Sequence, residues 1–370
     1  MADPDFRTKS GEQCRCGDCD FIRRELIPEM VHDRRFCESG SREFVEFDSV
    51  DVEHLVDGMR DYTTKLYRVT ARVKFSGETC SFPLVIKLPK TDAESPPSGP
   101  FQNEEMFYSK MTLEYGTDGV PKCYMSDLGR YGRPVIVLED LTARGYAHVN
   151  NKLDEDHLKL CVKALAAFHG RGLRLKARKF PVFREFYAKL SVPDSLYSVH
   201  QMLGASTHLS FASLESNLVE KIKKKLHVME SLATEINDVS TVCHGHFTWD
   251  NVLFRHENGK PSDVKMIDWE TMRYCSPAID FGLILFANIP DESELPKIEA
   301  FCRNILRLYL DTVKEEYPEV ERELLERDII AKLLLAYISL CDDSPACGIR
   351  ITYEELGMML HVLDGLGSLD

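Results

Sequence analysis

Basic residues are in short supply in this chain: 46 Lys and Arg stand against 60 Asp and Glu, a formal charge of −14. Nucleic-acid binding calls for a basic face, so this balance argues against a nucleic-acid partner. The acidic excess reads first as solubility, and it also suits a neutral or cationic small ligand. Long apolar runs are lacking too. The stretches 281–289 and 331–340 are too short or too interrupted to span a bilayer. Met1-Ala2-Asp3-Pro4-Asp5 has none of the basic-then-apolar character of a secretory leader. No internal repeat and no low-complexity tract occurs. The expectation is a soluble cytoplasmic protein without a membrane span.

Cysteine, by contrast, is plentiful, with twelve in 370 residues. Cys80, Cys123, Cys161, Cys243, Cys275 and Cys302 stand singly within apolar patterns, as buried reduced thiols do. Cys14, Cys16 and Cys19 form a CxCxxC cluster, with Cys37 and His32 as further candidate ligands. Two readings stay open for it: a zinc site, against which the paired CxxC units of such sites are missing, or a reduced, redox-labile segment.

The remaining pattern divides in two. Residues 1–19 are polar and read as mobile, and 21–31 carry helical spacing through Ile22, Leu26 and Met30 despite Pro28. From 44 to 90 the period becomes two: Tyr67, Val69, Ala71 and Val73 alternate with Leu66, Arg68, Thr70 and Arg72. Ser76-Gly77-Glu78 reads as a turn into a second strand over 81–88, and 134–138 as a short buried strand. Residues 101–111 have helical spacing, and after 141 the chain is largely helical. Asp154 is placed to cap a helix carrying Leu158, Cys161, Leu165 and Phe168, and amphipathic helices follow over 211–235, 294–315, 321–342 and 352–364. The Lys221 to Lys225 cluster reads as a solvated helix face.

Chemistry concentrates in 243–270. Asn258-Gly259 is a hairpin-turn dipeptide flanked by Val252-Leu253-Phe254 and Val264-Lys265-Met266-Ile267. Folding on that turn brings Asn251, at the entry of one strand, to the same end as Asp268, at the exit of the other. An amide oxygen beside a carboxylate is hard-oxygen ligation suited to magnesium carrying phosphates, the main requirement of phosphoryl transfer. The competing reading is a surface hairpin with a polar mouth.

The order His-Gly-x5-Asn from His244 to Asn251, an apolar strand, Ile267-Asp268-Trp269-Glu270 and then Ser276-Pro277-Ala278-Ile279-Asp280 resembles the ecdysteroid kinase-like family. Val137-Leu138-Glu139-Asp140-Leu141 and Leu165-Ala166-Ala167-Phe168-His169 extend the resemblance over about 55 to 290. It implies an α+β, bilobal protein-kinase-like fold: an N-terminal extension over 1–44, a small antiparallel-sheet lobe over 45–140 and a helical lobe over 141–370. ATP is then expected between the lobes, with Asn251 and Asp268 as magnesium ligands. Lys87 takes the place of the phosphate-pairing lysine, and Glu104 that of its helical partner, with Glu105 adjacent. Thr63 and Thr64 fall in the phosphate-loop position, though this stretch has the single glycine Gly58. Glu139 and Leu141 fall at the hinge, where backbone groups receive adenine. Asp280 is expected to brace the catalytic loop, and His169 to be a packed or capping histidine. Only Trp269 to Cys275 separates Asp268 from Ser276-Pro277, which leaves no room for a protein-kinase activation segment and points to a small-molecule hydroxyl acceptor, steroid-like or another small alcohol.

One departure from the family pattern stands out. Where the family has the Asp of His-Gly-Asp, this chain has His246. Imidazole is a reasonable base near neutral pH, but its shape and reach differ from a carboxylate. Three readings follow: a slow kinase, a kinase with His246 as base, or a catalytically impaired pseudokinase that binds nucleotide or ligand.

Overall fold

The computed structural model describes residues 16–55, 64–90, 97–149, 152–191, 214–292, 294–343 and 353–370. It divides into two compact units, Met1–Ser98 with Lys122–Ala143, and Gly99–Pro121 with Arg144–Asp370. The α+β organisation implied by the resemblance is present, with a small antiparallel sheet in the first unit and mainly helices in the second.

In the first unit a continuous helical run, α1, comprises Gly17–Phe21, a wider-wound stretch Ile22–Leu26, and Ile27–His32. Five strands follow: β1 (Val45–Leu55), β2 (Thr64–Phe75), β3 (Glu78–Pro89), β4 (Cys123–Asp127) and β5 (Val135–Glu139). They form one antiparallel sheet in the order β1-β2-β3-β5-β4. The period-two pattern fixes which face is buried: Tyr67, Val69, Ala71 and Val73 of β2 are all at most 1% exposed. Ile22, Leu26, Ile27 and Met30 of α1 join the same core and are fully buried.

The expectation of a mobile segment through residue 19 is corrected here, because α1 starts at Gly17 and Cys19 is fully buried. The anchor is Asp18. Its Oδ2 accepts from Lys65 Nζ at 2.9 Å and from the Tyr67 hydroxyl at 2.8 Å, and Arg133 Nη1 lies 2.7 Å from Oδ1. Burial pushes this carboxyl up, but the hydrogen bonds from Lys65, Tyr67 and Arg133 outweigh it and hold the group at about 2. A folded value below the ordinary one, about 3.9, adds stability above about pH 4 that is lost as the pH falls through about 2. Hydrogen-exchange protection of α1, corrected for intrinsic rate, is therefore expected to fall over that window. Asp18→Asn should bring the same loss at neutral pH. Protection in α1 that is independent of both would refute the anchoring role.

In the second unit, α2 runs through Gly99–Met106, Phe107–Met111 and Thr112–Tyr115. Its Phe101, Phe107 and Met111 are buried, as their spacing predicts. A short strand β6 (Tyr146–Ala147) precedes the long helix α3 (Glu155–Arg178), which begins where Asp154 Oδ1 accepts the His157 amide at 2.9 Å. Then come α4 (Phe180–Tyr187), α5 (Ser216–Thr234), β7 (Thr241–Cys243), β8 (Val252–Glu257), β9 (Lys260–Met266) and β10 (Arg273–Cys275). The chain ends in α6 (Ala278–Phe286), α7 (Leu295–Glu316), α8 (Arg322–Asp343) and α9 (Tyr353–Leu366). Every residue of α6 is buried, so this mainly apolar helix is enclosed on all sides within the unit. The lysine cluster of α5 is not wholly solvated, since Lys225 is 7% exposed and donates to the Asp370 carbonyl at 3.3 Å. Among the described residues no helix is long and apolar enough to cross a membrane.

Candidate active site

The hairpin forms on the predicted turn. Asn258 and Gly259 have φ of +53° and +75°, the left-handed pair a tight two-residue connection requires. The β8–β9 register pairs Val252 with Met266, and the Ile267 amide donates to the Asn251 carbonyl at 3.0 Å. The ladder thus closes at Asn251 and Ile267, with Asp268 the next residue along. Asp268 adopts a left-handed backbone, φ +69° and ψ +65°. Such a conformation is uncommon outside glycine, and asparagine and aspartate tolerate it better than most residues.

The approach to Asn251 is built on Asp280, at the start of α6. Its carboxylate is fully buried and accepts the His244 amide at 2.6 Å and the Gly245 amide at 2.9 Å. His169 Nε2 lies 3.2 Å from the same group, and His169 Nδ1 meets the Tyr309 hydroxyl at 2.7 Å. Burial alone would raise the Asp280 carboxyl. The hydrogen bonds from His169 and from the Gly245 amide, with the His244 ring nearby, reverse this and hold it below the usual carboxylate range. The expectations for Asp280 and His169 are met. Gly245 is needed where it stands: its φ is +92°, and a Cβ there would meet the Thr271 carbonyl oxygen at 1.9 Å.

His244 packs under the loop, fully buried, with Nε2 2.9 Å from the Ile267 carbonyl. That bond needs the proton on Nε2, and Nδ1 has no hydrogen-bond partner, so the ring is neutral. Burial drives its pKa down accordingly, against the opposing pull of Asp280, the Ile267 carbonyl and Asp268. His246 adds a smaller push in the same direction as burial. His244 therefore lies within electrostatic range of both Asp268 and His246. Trp269 fixes the next step, stacked on Phe107 at 3.8 Å and 10° between planes.

His246 itself is half-buried. Asn251 Nδ2 donates to the His246 carbonyl at 2.8 Å and lies 3.3 Å from His246 Nδ1. The carbonyl is an obligate acceptor, so it settles the orientation of the Asn251 amide, with nitrogen toward His246 and Oδ1 turned away. His246 Nδ1 then faces an N–H donor and must accept. In an unprotonated ring with Nδ1 accepting, the proton sits on Nε2, which makes that nitrogen a donor.

The other predicted residues lie in several places. Lys87 is in the central strand β3, opposite Leu66 and Ile136, and is buried at 9% exposure. Glu104 lies in α2 of the second unit and is fully buried, whereas Glu105 is half-buried. Thr64 opens β2 opposite Pro89 and is 3% exposed, while Thr63 and Gly58 lie outside the described residues. Glu139 ends β5, its carboxylate accepting the Lys122 amide at 2.8 Å, and Leu141 follows, buried.

Asp140 between them was missed. Its Oδ1 accepts from the Thr142 amide and hydroxyl at 2.9 and 2.6 Å, and its Oδ2 pairs with Arg68 Nε at 2.9 Å. An aspartate two residues before a threonine is the local pattern of such a side-chain turn, so part of this was readable. Among the described residues, one group of metal-ligating type draws together, His169, Cys243 and Asp280, with ligand atoms within 4.8 Å. His169 and Asp280 there are already committed to bracing the loop. Cys14 lies outside the described residues.

The sequence model described as the ecdysteroid kinase-like family matches residues 58–320. Among curated proteins none matches. Similar solved structures include an ethanolamine kinase of Plasmodium vivax, 16% identical, covering 86% of this chain and 82% of that one with a TM-score of 0.44. A choline kinase of Cryptosporidium parvum is 12% identical, covering 86% and 90% with a TM-score of 0.45. A macrolide 2′-phosphotransferase of Brachybacterium faecium is 14% identical, covering 90% and 97% with a TM-score of 0.40.

Proposed function

Because this chain belongs to the ecdysteroid kinase-like family, we propose that it is an ATP-dependent small-molecule phosphotransferase, moving the γ-phosphoryl group to the hydroxyl of a steroid-like or other small alcohol. The observation that carries this reading is the closure of the hairpin at Asn251 and Ile267, with Asp268 following in a left-handed turn. The donor set fits magnesium: Asn251 Oδ1 is turned away from His246 by the amide's own hydrogen bond, and the Asp268 carboxylate is the second hard oxygen donor. Magnesium, when bound, draws phosphate oxygens in and neutralises their charge.

The chain's own residues have separable tasks. Lys87 pairs phosphate oxygens, with Glu104 assigned as its carboxylate partner. Thr63 and Thr64 cover phosphates, and the backbone at Glu139 and Leu141 receives adenine. Asp280 holds the loop rigid through the His244 and Gly245 amides, so the groups at its tip need no rearrangement during transfer. His246 orients the acceptor through Nε2–H rather than removing its proton.

That last assignment also supports a second reading, a nucleotide-binding protein with impaired transfer. Mass-spectrometric detection of phosphorylated product over a panel of sterols, small alcohols and choline-like amines, with MgATP, tests the first reading. Asp268→Asn should remove about 10²-fold or more of any activity found, as loss of a group stabilising charge in the transition state does. It should also abolish the melting shift given by millimolar MgATP. No product together with an undiminished MgATP shift supports the second reading. No shift at all in the native chain refutes both.

A further inference from the structure

The N-terminal end of α1 lies outside the residues matched to the family and has no part in the chemistry above. It carries Cys16-Gly17-Asp18-Cys19. Cys16 is the extended residue preceding the helix, with φ −95° and ψ 162°, and its sulfur accepts the Cys19 amide at 3.5 Å. Cys16 Sγ lies 3.4 Å from Cys19 Sγ. The first thiol is half-buried and the second fully buried, so one faces incoming reagent and the other waits behind it. The Tyr67 hydroxyl also reaches Cys16, and Lys65 and Arg133 bring positive charge to the Asp18 carboxylate in the same turn.

We propose that Cys16 and Cys19 form a redox-active dithiol that exchanges with low-molecular-weight disulfides and closes to an intramolecular bond at the head of α1. Three observations carry it: the two sulfurs in contact, the asymmetry of their exposure, and a backbone amide aimed at the outer sulfur. An N–H directed at a sulfur favours its thiolate, which is the attacking species.

The exchange has two steps. The Cys16 thiolate attacks a disulfide RSSR, forming a mixed Cys16–S–S–R bond and expelling RS⁻. The Cys19 thiolate then attacks Cys16 sulfur, forming the Cys16–Cys19 bond and expelling the second RS⁻. Two electrons pass to RSSR, and the two thiol protons end on two RSH. Among the described residues Cys243 and Cys275 are also in contact, but Cys243 is fully buried and its sulfur already faces the carbonyls of Thr241, Cys275 and Ser276. Asp18 lies between the two N-terminal cysteines, so closure of the bond acts on the residue that anchors α1 to the sheet.

The test uses the full chain equilibrated over a series of glutathione redox buffers, quenched by alkylation and mapped by peptide. Trypsin cleaves after Arg15 and Arg23, so peptide 16–23 holds both cysteines and no other. The expected result is that this peptide loses both alkylatable thiols together, appearing about 2 Da lighter than its unalkylated dithiol form, in buffers that leave Cys80 and Cys37 alkylated. Cys19→Ser should stop at a glutathione adduct on Cys16, and Cys16→Ser should leave Cys19 unmodified. Three outcomes overturn the proposal: both thiols staying alkylated where Cys80 already carries glutathione, either cysteine pairing with a third such as Cys14, or stoichiometric zinc co-purifying and leaving when both cysteines are alkylated.

Discussion

His246→Asp raises turnover by about 10²–10⁴-fold, the typical worth of a positioned general base. The expectation follows from the hydrogen bond at Nδ1. With Asn251 Nδ2 at 3.3 Å, Nδ1 of an unprotonated ring is committed to that amide as acceptor, which leaves Nε2–H a donor rather than a base. A carboxylate has acceptor sites to spare: one oxygen keeps the Asn251 amide, the other takes the acceptor's proton. The measurement needs no known alcohol, because water serves as acceptor and MgATP hydrolysis gives the rate. On the proposed assignment of residue 246 to the acceptor side, the gain should appear in kcat with the nucleotide KM little changed. A rate that falls on substitution would show that the native imidazole gives up its contact with Asn251 and acts as a base.

The second large effect is on stability. Asp280→Asn should lower unfolding free energy by about 3 kcal/mol or more, read from the urea midpoint at constant m-value. The carboxylate takes three partners, the amides of His244 and Gly245 and the ring of His169. An asparagine offers one oxygen and turns an N–H toward one of those donors, leaving fully buried polar groups facing each other. Since the native carboxyl is held below its ordinary range, its contribution is present above about pH 4 and lost in acid. The pH dependence of the native chain should therefore flatten in the variant. An unchanged midpoint would mean that the loop carries its own rigidity.

How much of this was legible in the sequence depended on whether the cause was local. The Asn258-Gly259 turn writes its own geometry into two adjacent residues, and the flanking β-branched and apolar runs fix the register from there. The helices α5, α7, α8 and α9 were readable within about two residues where described, because their apolar faces repeat over several turns. By contrast α3, legible at its Asp154 start, runs on to Arg178, well past the end expected at His169. Cys16 to Asp20 failed for the opposite reason. A polar, glycine-containing stretch looks like a loop, and what makes it helical is an aspartate gripped by Lys65, Tyr67 and Arg133, all distant in sequence. Asp140 shows an intermediate case: the turn to Thr142 is local, but its partner Arg68 is 72 positions away. The burial of Lys225 depends on the Asp370 carbonyl, 145 positions on, which no window around α5 could contain. The tautomer of His246 was likewise beyond reach, since it rests on the orientation of one amide five residues later.

The stacking of Trp269 on Phe107 has an optical consequence. The chain has two tryptophans, Trp249 and Trp269, and they bracket the hairpin that carries Asn251. Indole emission therefore originates wholly from this segment, and the sheet-bearing unit contributes none. Trp269 is fully buried against an aromatic ring, whereas Trp249 is half-exposed, so an aqueous quencher such as iodide separates the two emitters. A label-free fluorescence titration therefore tests whether MgATP or a candidate acceptor reaches this loop, with the exposed and the buried indole read separately.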